Sequence, residues 1–265
     1  MEPVKGTVEP TIEYETIASR VSVARRYVRA IDLGRDINDP DALTGFVSTP
    51  SVQEALRRLG TGLRSESGQR AFRVTGPYGS GKSSFAVLLA QALSGGDRAK
   101  KIIEGSELDR TDEQIVVIPL IGRRVSLGDD LLAHISNPSD APQPSFDLLS
   151  AIKATREARS MGYRDPDAVL IHVEAYAAEI AATGQMLVLL VDEMGRYIEY
   201  AATAPDEDPS IFQRLAERGC GPSKAPYGVV GFLHSQFSTK TSLLATVRKP
   251  RYICSQTPFS TSLAS

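Results

Sequence analysis

The chain has 265 residues, of which 42% are hydrophobic and 23% are charged, and its formal net charge is −2. This composition is typical of a globular protein of one or two domains. The nearly balanced charge excludes a global attraction to nucleic acid or to an anionic membrane, although a local basic patch remains compatible with it.

Cysteine usage and the chain's apolar runs predict the compartment. Cys220 and Cys254 are too few for a disulfide framework and favour a reducing environment. The N-terminus carries no signal-peptide pattern, and the longest apolar run, residues 186–191, is too short to span a bilayer. We therefore expect a cytoplasmic protein without a membrane contact.

The first clear helical pattern covers residues 51–63. Ser51 and Glu54 have the spacing of a capping box, and apolar residues then recur at helical spacing. Farther along, residues 71–75 are predicted to form a short strand, and residues 85–93 are predicted to form a helix. A glycine-rich loop lies between them.

That loop carries a motif with a specific chemistry. Its residues fit G-x-x-x-x-G-K-[ST] at every fixed position and run Gly76, Pro77, Tyr78, Gly79, Ser80, Gly81, Lys82, Ser83, followed by Ser84. Successive backbone N–H groups must point inward to meet the oxygens of a triphosphate, which requires the conformational freedom of glycine. The N-terminus of the next helix faces the same phosphates.

The motif predicts ATP and Mg²⁺ as ligands, held by all nine of these residues. Lys82 is expected to contact the β- and γ-phosphates and to act in catalysis, and the Ser83 hydroxyl is expected to bind the magnesium ion. The alternative is a glycine-rich turn before an ordinary helix. The strand before the loop and the helix after it favour the nucleotide site.

Strands and helices alternate through the rest of the chain. Buried strands are predicted at 115–121, where Pro119 marks an end or a bulge, and at 186–191 and 227–233. Between the first two, residues 137–145 form a proline-rich loop, and a helix begins at Asp165-Pro166 and ends near Gly184. This alternation predicts an α/β fold of three layers, with a parallel sheet covered on both faces.

Two acids follow the strand at 186–191. Asp192 is predicted to hold Mg²⁺ through water, and Glu193 to polarise the attacking water. A further strand between the glycine loop and this pair marks the branch of P-loop NTPases that has an added strand and a catalytic glutamate. The N-K-x-D guanine motif of small GTPases is absent from the sequence. The alternative is an acidic strand end that caps a helix.

The residues after the acid pair have weaker signals. Met194, Tyr197, Ile198 and Ala201 fall on one helical face, which core packing explains fully. Arg196 lies on another face, where it could touch a phosphate or the glutamate, although a solvated surface arginine is the favoured interpretation.

Polar side chains also follow two other strands. His234 and Gln236 could sense the γ-phosphate, and a polar cap on the strand end explains them equally well. Arg123 and Arg124 could face phosphate or nucleic acid, but a solvated loop pair is favoured.

Three stretches carry a resemblance to a known group of proteins. They read R-A-F-R-V-T-G-P-Y-G-S-G-K-S-S-F-A, L-V-L-L-V-D-E-M-G-R-Y-I-E-Y-A-A and G-V-V-G-F-L-H. Together they resemble large prokaryotic ATP-binding proteins of AAA/STAND type found in restriction-like and antiphage gene clusters, over residues 40–236. The glycine loop alone is generic, and the stretch around the acid pair is the more specific part.

The resemblance implies that Lys82, Ser83, Asp192 and Glu193 carry an ATPase site and that the sheet has strand order 5-1-4-3-2. It also implies a longer chain, whose downstream domains act on DNA or on partner proteins. Homo-oligomers are an open possibility, because ATPases of this branch often complete their sites between subunits.

The C-terminal part departs from that pattern. No acid follows Glu217, although the chain's composition predicts about six in residues 218–265. We expect a frameshift or a truncated reading frame, and the alternative is a flexible basic tail. Either way, the fifth strand would be weak or missing beside the first, and so would the lid over the adenine, which leaves Arg73 in need of a partner or water.

The sequence thus predicts an N-terminal flanking segment with one helix at 1–60, a P-loop ATPase core at 61–236 and an irregular Ser/Thr-rich tail at 237–265. Three functions stay open: Mg²⁺-dependent ATP hydrolysis, a switch that ATP binding gates with little turnover, and an inactive fragment of a larger ATPase.

Overall fold

The computed structural model describes residues 31–64, 67–110, 114–221 and 225–235, together with the backbone of residues 260–262. The strands are β1 Ala71–Gly76, β2 Gln114–Ile121, β3 Gln185–Asp192, β4 Tyr227–His234 and β5 Ser260–Ser262. The helices within these ranges are α1 Leu33–Asp36, α2 Pro50–Gly62, α3 Lys82–Leu93, α4 Asp97–Ile103, α5 Leu127–Ser136, α6 Phe146–Ser160, α7 Pro166–Ala182, α8 Met194–Thr203 and α9 Ile211–Cys220.

The strands form one parallel sheet in the order β2-β3-β4-β1-β5. Their register brings the carboxyl ends into line, because Gly76 pairs with His234 and Ile121 pairs with Asp192. The prediction of an α/β fold with a parallel sheet is confirmed, and the strand order is the predicted one. In such sheets, ligands bind outside the carboxyl ends of the strands.

Two hydrophobic cores cover the two faces of the sheet. On β3, Val188 and Leu190 belong to the core shared with α2, α3 and α4. Leu187, Leu189 and Val191 alternate with them and belong to the core shared with α5, α6 and α7. Because β3 is buried on both faces, it is apolar at nearly every position, and the sheet is the middle of three layers.

The strands predicted from the apolar runs lie where expected. Pro119, however, neither ends β2 nor forms a bulge, because its register with Leu190 continues on both sides. Within the described residues β2 pairs only with β3, so it is an edge strand, the place in a sheet where proline is tolerated. The predicted helix start at Asp165 is confirmed, since its carboxylate accepts the N–H of Asp167.

The helix predicted at 51–63 is present as α2, but its cap differs from the prediction. The hydroxyl of Thr49, not that of Ser51, accepts a hydrogen bond at the N-terminus. Pro50 occupies the first helical position, where an N–H would have no partner in any case. The carboxylate of Glu54 does not reach back, because it binds two arginines of the same helix at 2.7 and 2.6 Å. The capping-box prediction is therefore wrong.

The fifth strand is short rather than missing. The backbone of β5 pairs in parallel with residues 73–75 of β1, with Ser260 opposite Arg73. Arg73 itself is half-buried in β1. The rest of the predicted tail, including Gln236, lies outside the described residues, and the proposed limits of the N-terminal segment, core and tail stay predictions.

Residues 31–46 pack on the side of the sheet that carries α3. The buried amide of Gln91 on α3 donates to the backbone carbonyls of Asp36 and Asp39, at 3.3 and 2.8 Å. Asp36 is itself buried, and its carboxylate binds the guanidinium of Arg35 at 2.8 Å. The segment is thereby anchored to the C-terminal half of α3.

No helix in the part of the chain that the structure describes is both long enough and apolar enough to cross a membrane.

Candidate functional site

The glycine loop connects β1 to α3 at the carboxyl edge of the sheet. Gly79 and Gly81 have φ angles of 76° and 82°, in the left-handed region that favours glycine. A Cβ at either position would meet no atom within 4 Å, so backbone conformation, not crowding, is what requires glycine there. The hydroxyl of Ser80 donates to the carbonyl of Pro77 at 2.8 Å and closes the loop.

The start of α3 presents its backbone N–H groups to this loop. Its N-cap is Gly81, which has no side chain to accept a hydrogen bond from the first turn. The first N–H groups of a helix lack partners within the helix, and the helix dipole adds partial positive charge to them. An anion at the loop would therefore find aligned donors.

Lys82 reaches back across the loop. Its ammonium donates to the carbonyls of Gly76 and Pro77, at 3.0 and 2.8 Å. Burial lowers the pKa of Lys82, while the negative charges of Asp192 and Glu193 oppose that shift. The lysine therefore lies between the glycine loop and the acid pair, where a phosphate chain would meet it.

Ser83 and Asp192 lie where the two predicted parts of the site, the glycine loop and the acid pair, come together. β4 lies between β1 and β3 in the sheet, yet Ser83 lies close enough to Asp192 for its hydroxyl to lower the pKa of that carboxyl. Asp192 is only 4% exposed, and burial raises its pKa, opposed by the Glu193 N–H, the Ser83 hydroxyl and the Lys82 charge. A bound cation would reverse that shift, because it favours the charged carboxylate.

The available ligands suit magnesium better than a metal whose ligands all come from protein side chains. Among the described residues, no group of three or more His, Cys, Asp or Glu side chains could hold a metal ion. Ser83 and Asp192 offer one hydroxyl and one carboxylate. Mg²⁺ keeps several waters and commonly binds through one or two carboxylates plus substrate phosphates, so this pair fits its requirements.

Glu193 adopts an unusual backbone conformation. Its φ of 48° is the only positive value at a non-glycine residue within the described ranges. Its N–H donates to the Asp192 carboxylate at 2.9 Å, and α8 begins directly after it. Backbone strain of this kind is often found at functional sites and persists only where the surroundings enforce it.

The end of β2 supports this turn. The N–H of Gly122 donates to the carbonyl of Asp192 at 2.8 Å. A Cβ at Gly122 would lie 2.1 Å from the carbonyl oxygen of Glu193, so no larger residue fits there without a shift of the backbone. The acid pair is thus held against the neighbouring strand.

Arg196 is paired with the candidate catalytic acid. Its Nε lies 2.5 Å from Oε2 of Glu193, and their side chains are 56% and 45% exposed. Arg196 is exposed, as the favoured interpretation of a solvated surface arginine expects, and it also makes the contact with the glutamate that was the alternative. Such an exposed pair contributes little to stability.

An aromatic pair lies beside the glycine loop, at the end of β4. The ring of Tyr78, which is 83% exposed, lies over the imidazole of His234 with a centroid distance of 3.9 Å and a tilt of 42°. Burial and the Lys82 charge lower the pKa of His234, which therefore favours the neutral form. The structure brings His234 beside the glycine loop, whereas Arg123 and Arg124 are exposed in the loop after β2.

Sequence reasoning missed two contributors. Asp32, the N-cap of α1, lies close enough to Asp192 for its charge to raise that residue's pKa. Tyr197 was assigned to core packing alone, yet its hydroxyl lies 3.0 Å from the carbonyl of Ile121 and also contacts the carboxylate of Asp130. Helical spacing cannot predict these contacts of Tyr197, since its partners come from β2 and α5.

No family model matches this chain, and comparisons with curated proteins and with solved structures gave no match either.

Proposed function

We propose that this chain binds ATP with Mg²⁺ and hydrolyses it to ADP and phosphate. One observation carries the proposal: the proximity of Ser83, at the start of α3, to Asp192, at the end of β3, where the hydroxyl lowers the pKa of the buried carboxyl. It joins the glycine loop to the acid pair across an intervening strand. A glycine-rich turn that merely precedes a helix would not need to meet two acids from a distant strand.

Each residue of the site has a distinct task in this proposal. The backbone N–H groups of the loop and Lys82 bind the phosphates, and Ser83 with Asp192 holds the magnesium ion, which supplies positive charge against the phosphate oxygens. Glu193 orients a water molecule toward the γ-phosphorus. The bond from that phosphorus to the bridging oxygen breaks, and water's oxygen is retained in the released phosphate.

Binding is tested by calorimetry with Mg·ATP on the full chain. We expect Lys82→Ala to weaken binding at least about a hundredfold, since a charge-assisted contact to phosphate and its geometry are lost together. Lys153→Ala is the matched control, because Lys153 is an exposed lysine on α6. Equal binding by wild type and Lys82→Ala would contradict the assignment of the loop.

A second function has its own support, a switch in which ATP binds but turnover is slow. The ion pair between Arg196 and Glu193 occupies the carboxylate that must orient water. In that case, Mg·ATP binds with the same dependence on Lys82, while phosphate release stays slow until a partner draws Arg196 away. Measuring phosphate release separates the two functions.

Only the sequence resemblance supports a particular cellular task for ATP binding and hydrolysis. The stretches around the glycine loop and the acid pair support a task linked to DNA or to partner proteins, as in the ATPases of restriction and antiphage gene clusters. We propose no contact with a membrane.

A further inference from the structure

We propose that the hydroxyl of Tyr197 is a positioning group that holds Glu193 in its strained conformation and so keeps the carboxylate directed at water. This inference rests on the proposed hydrolysis for its catalytic consequence. Its structural part, a hydroxyl that stabilises the turn at Glu193, can be tested whether or not the chain hydrolyses ATP.

The turn at Glu193 needs external support. A glutamate with φ of 48° and ψ of 38° is in the left-handed region, which residues with a Cβ avoid. Such a residue relaxes unless contacts on both sides prevent it. On the strand side, the Gly122 N–H holds the carbonyl of Asp192 at 2.8 Å. On the helix side, α8 must be fixed as well, because any rotation of α8 would turn Glu193 with it.

Tyr197 provides that helix-side contact. It lies one turn after Glu193 on α8, is 1% exposed, and packs its ring against Phe212 with a centroid distance of 6.3 Å. Its hydroxyl lies 3.0 Å from the carbonyl of Ile121, the residue that pairs in register with Asp192. The end of β2 therefore holds both sides of the turn, at Ile121 and at Gly122.

The contact to Asp130 extends this support to a third element. The Tyr197 hydroxyl also contacts the carboxylate of Asp130, which lies in the first turn of α5. Burial and this carboxylate raise the pKa of Tyr197, so the phenol stays protonated. By contrast, the ion pair of the Glu193 side chain with Arg196 is at the surface and is a weaker constraint.

A matched control is available within the same chain. Tyr227 is likewise 1% exposed, and its hydroxyl donates to the backbone carbonyl of Leu215 at 3.0 Å. That acceptor belongs to α9 and not to the end of β2, which holds the turn at Glu193. Tyr197→Phe and Tyr227→Phe each remove one buried hydroxyl, so they differ in position and not in chemistry.

The first measurement is hydrogen exchange of the amides of Gly122 and Glu193 in wild type and in both variants, with thermal unfolding to confirm that both fold. We expect Tyr197→Phe to speed exchange at these two amides by roughly two- to tenfold, the range that corresponds to one lost hydrogen bond. Tyr227→Phe should leave them unchanged apart from any global loss of stability. Equal exchange in the two variants would overturn the positioning role.

The second measurement is turnover. We expect Tyr197→Phe to lower kcat by roughly ten- to a hundredfold through misplacement of Glu193, with Kd for Mg·ATP within about twofold of wild type. In a Glu193→Gln background the same substitution should have no further effect. An undiminished kcat, or an equal loss in both backgrounds, would overturn the role. A wild type that does not turn over would refute proposed hydrolysis instead, and hydrogen exchange would still decide the structural part.

Discussion

At the scale of single residues, the site depends on close backbone approaches more than on any one side-chain contact. Gly122 lies so near the carbonyl of Glu193 that the end of β2 packs directly against the turn at Glu193. Asp192 is buried, accepts a hydrogen bond from the Glu193 N–H, and lies near Ser83, whose hydroxyl lowers its pKa. Small changes in backbone position would therefore be transmitted directly to the carboxylates that are proposed to act.

This close approach makes Gly122→Ala a sharp test. A methyl group 2.1 Å from the Glu193 carbonyl oxygen must push the turn away. We expect a loss of about 1–3 kcal/mol in the free energy of unfolding and a marked loss of turnover. Urea unfolding and phosphate release measure the two effects.

The matched variant is Gly68→Ala. A Cβ at Gly68 would come no closer than 3.9 Å to its nearest neighbour, and its φ is not positive. We expect its free energy of unfolding to stay within about 0.5 kcal/mol of wild type. If Gly122→Ala behaved in the same way, the close packing of β2 against the acid turn would be refuted.

At the scale of elements, a buried ionic network ties the helices on one face to the segment after α8. Arg159 on α6 is 3% exposed, and its guanidinium binds Asp129 at 2.6 Å, the Ser126 hydroxyl at 2.7 Å and Glu207 at 3.5 Å. Arg164 contacts both acids as well. Since Glu207 lies between α8 and α9, this network holds the segment that follows α8.

Arg159→Ala should therefore be strongly destabilising. It leaves the Glu207 carboxylate, whose side chain is 6% exposed, with fewer compensating charges. We expect a loss of about 3–5 kcal/mol in the free energy of unfolding by urea, the usual consequence of removing one partner from a buried ion pair. Arg156→Ala, at an exposed position on the same helix, should change it by less than about 0.5 kcal/mol. Similar losses in both variants would contradict a specific role for the network.

The sequence predicts some elements better than others for physical reasons. β3 and β4 are apolar at nearly every position because both faces are covered, and their ends are set by turn residues and acids. By contrast, α6 was not predicted, since only Leu148, Ile152 and Arg159 along its 15 residues are buried. Its apolar stripe is too sparse for periodicity to reveal it.

Some residues of the candidate site could likewise be predicted from the sequence, and others could not. The glycine loop, Lys82, Ser83, Asp192 and Glu193 follow local patterns, so the sequence could name them. Tyr197 could not be assigned from sequence, because its acceptor Ile121 lies 76 residues away and is set by strand register. The pairing of Arg196 with Glu193 likewise depends on the left-handed turn, which residue type does not predict.

At the scale of the whole molecule, the sheet gathers the proposed catalytic groups at one edge. Gly76, Asp192 and His234 end three neighbouring strands, and α3 starts above them. Helices cover both faces of the sheet, and residues 31–46 pack into the core that α3 also lines. An arrangement of this kind suits a phosphate chain laid across the carboxyl ends of β1 and β4 toward β3.

The most direct measurement is single-turnover release of phosphate from Mg·ATP by the full chain, beside Glu193→Gln. We expect wild type to release phosphate, and Glu193→Gln to bind Mg·ATP with an unchanged Kd while releasing phosphate at least about a hundredfold more slowly. Removing Mg²⁺ with a chelator should stop release from both. Release at the same rate by both proteins would contradict the assignment of Glu193, and binding without release by wild type would contradict hydrolysis and favour the switch.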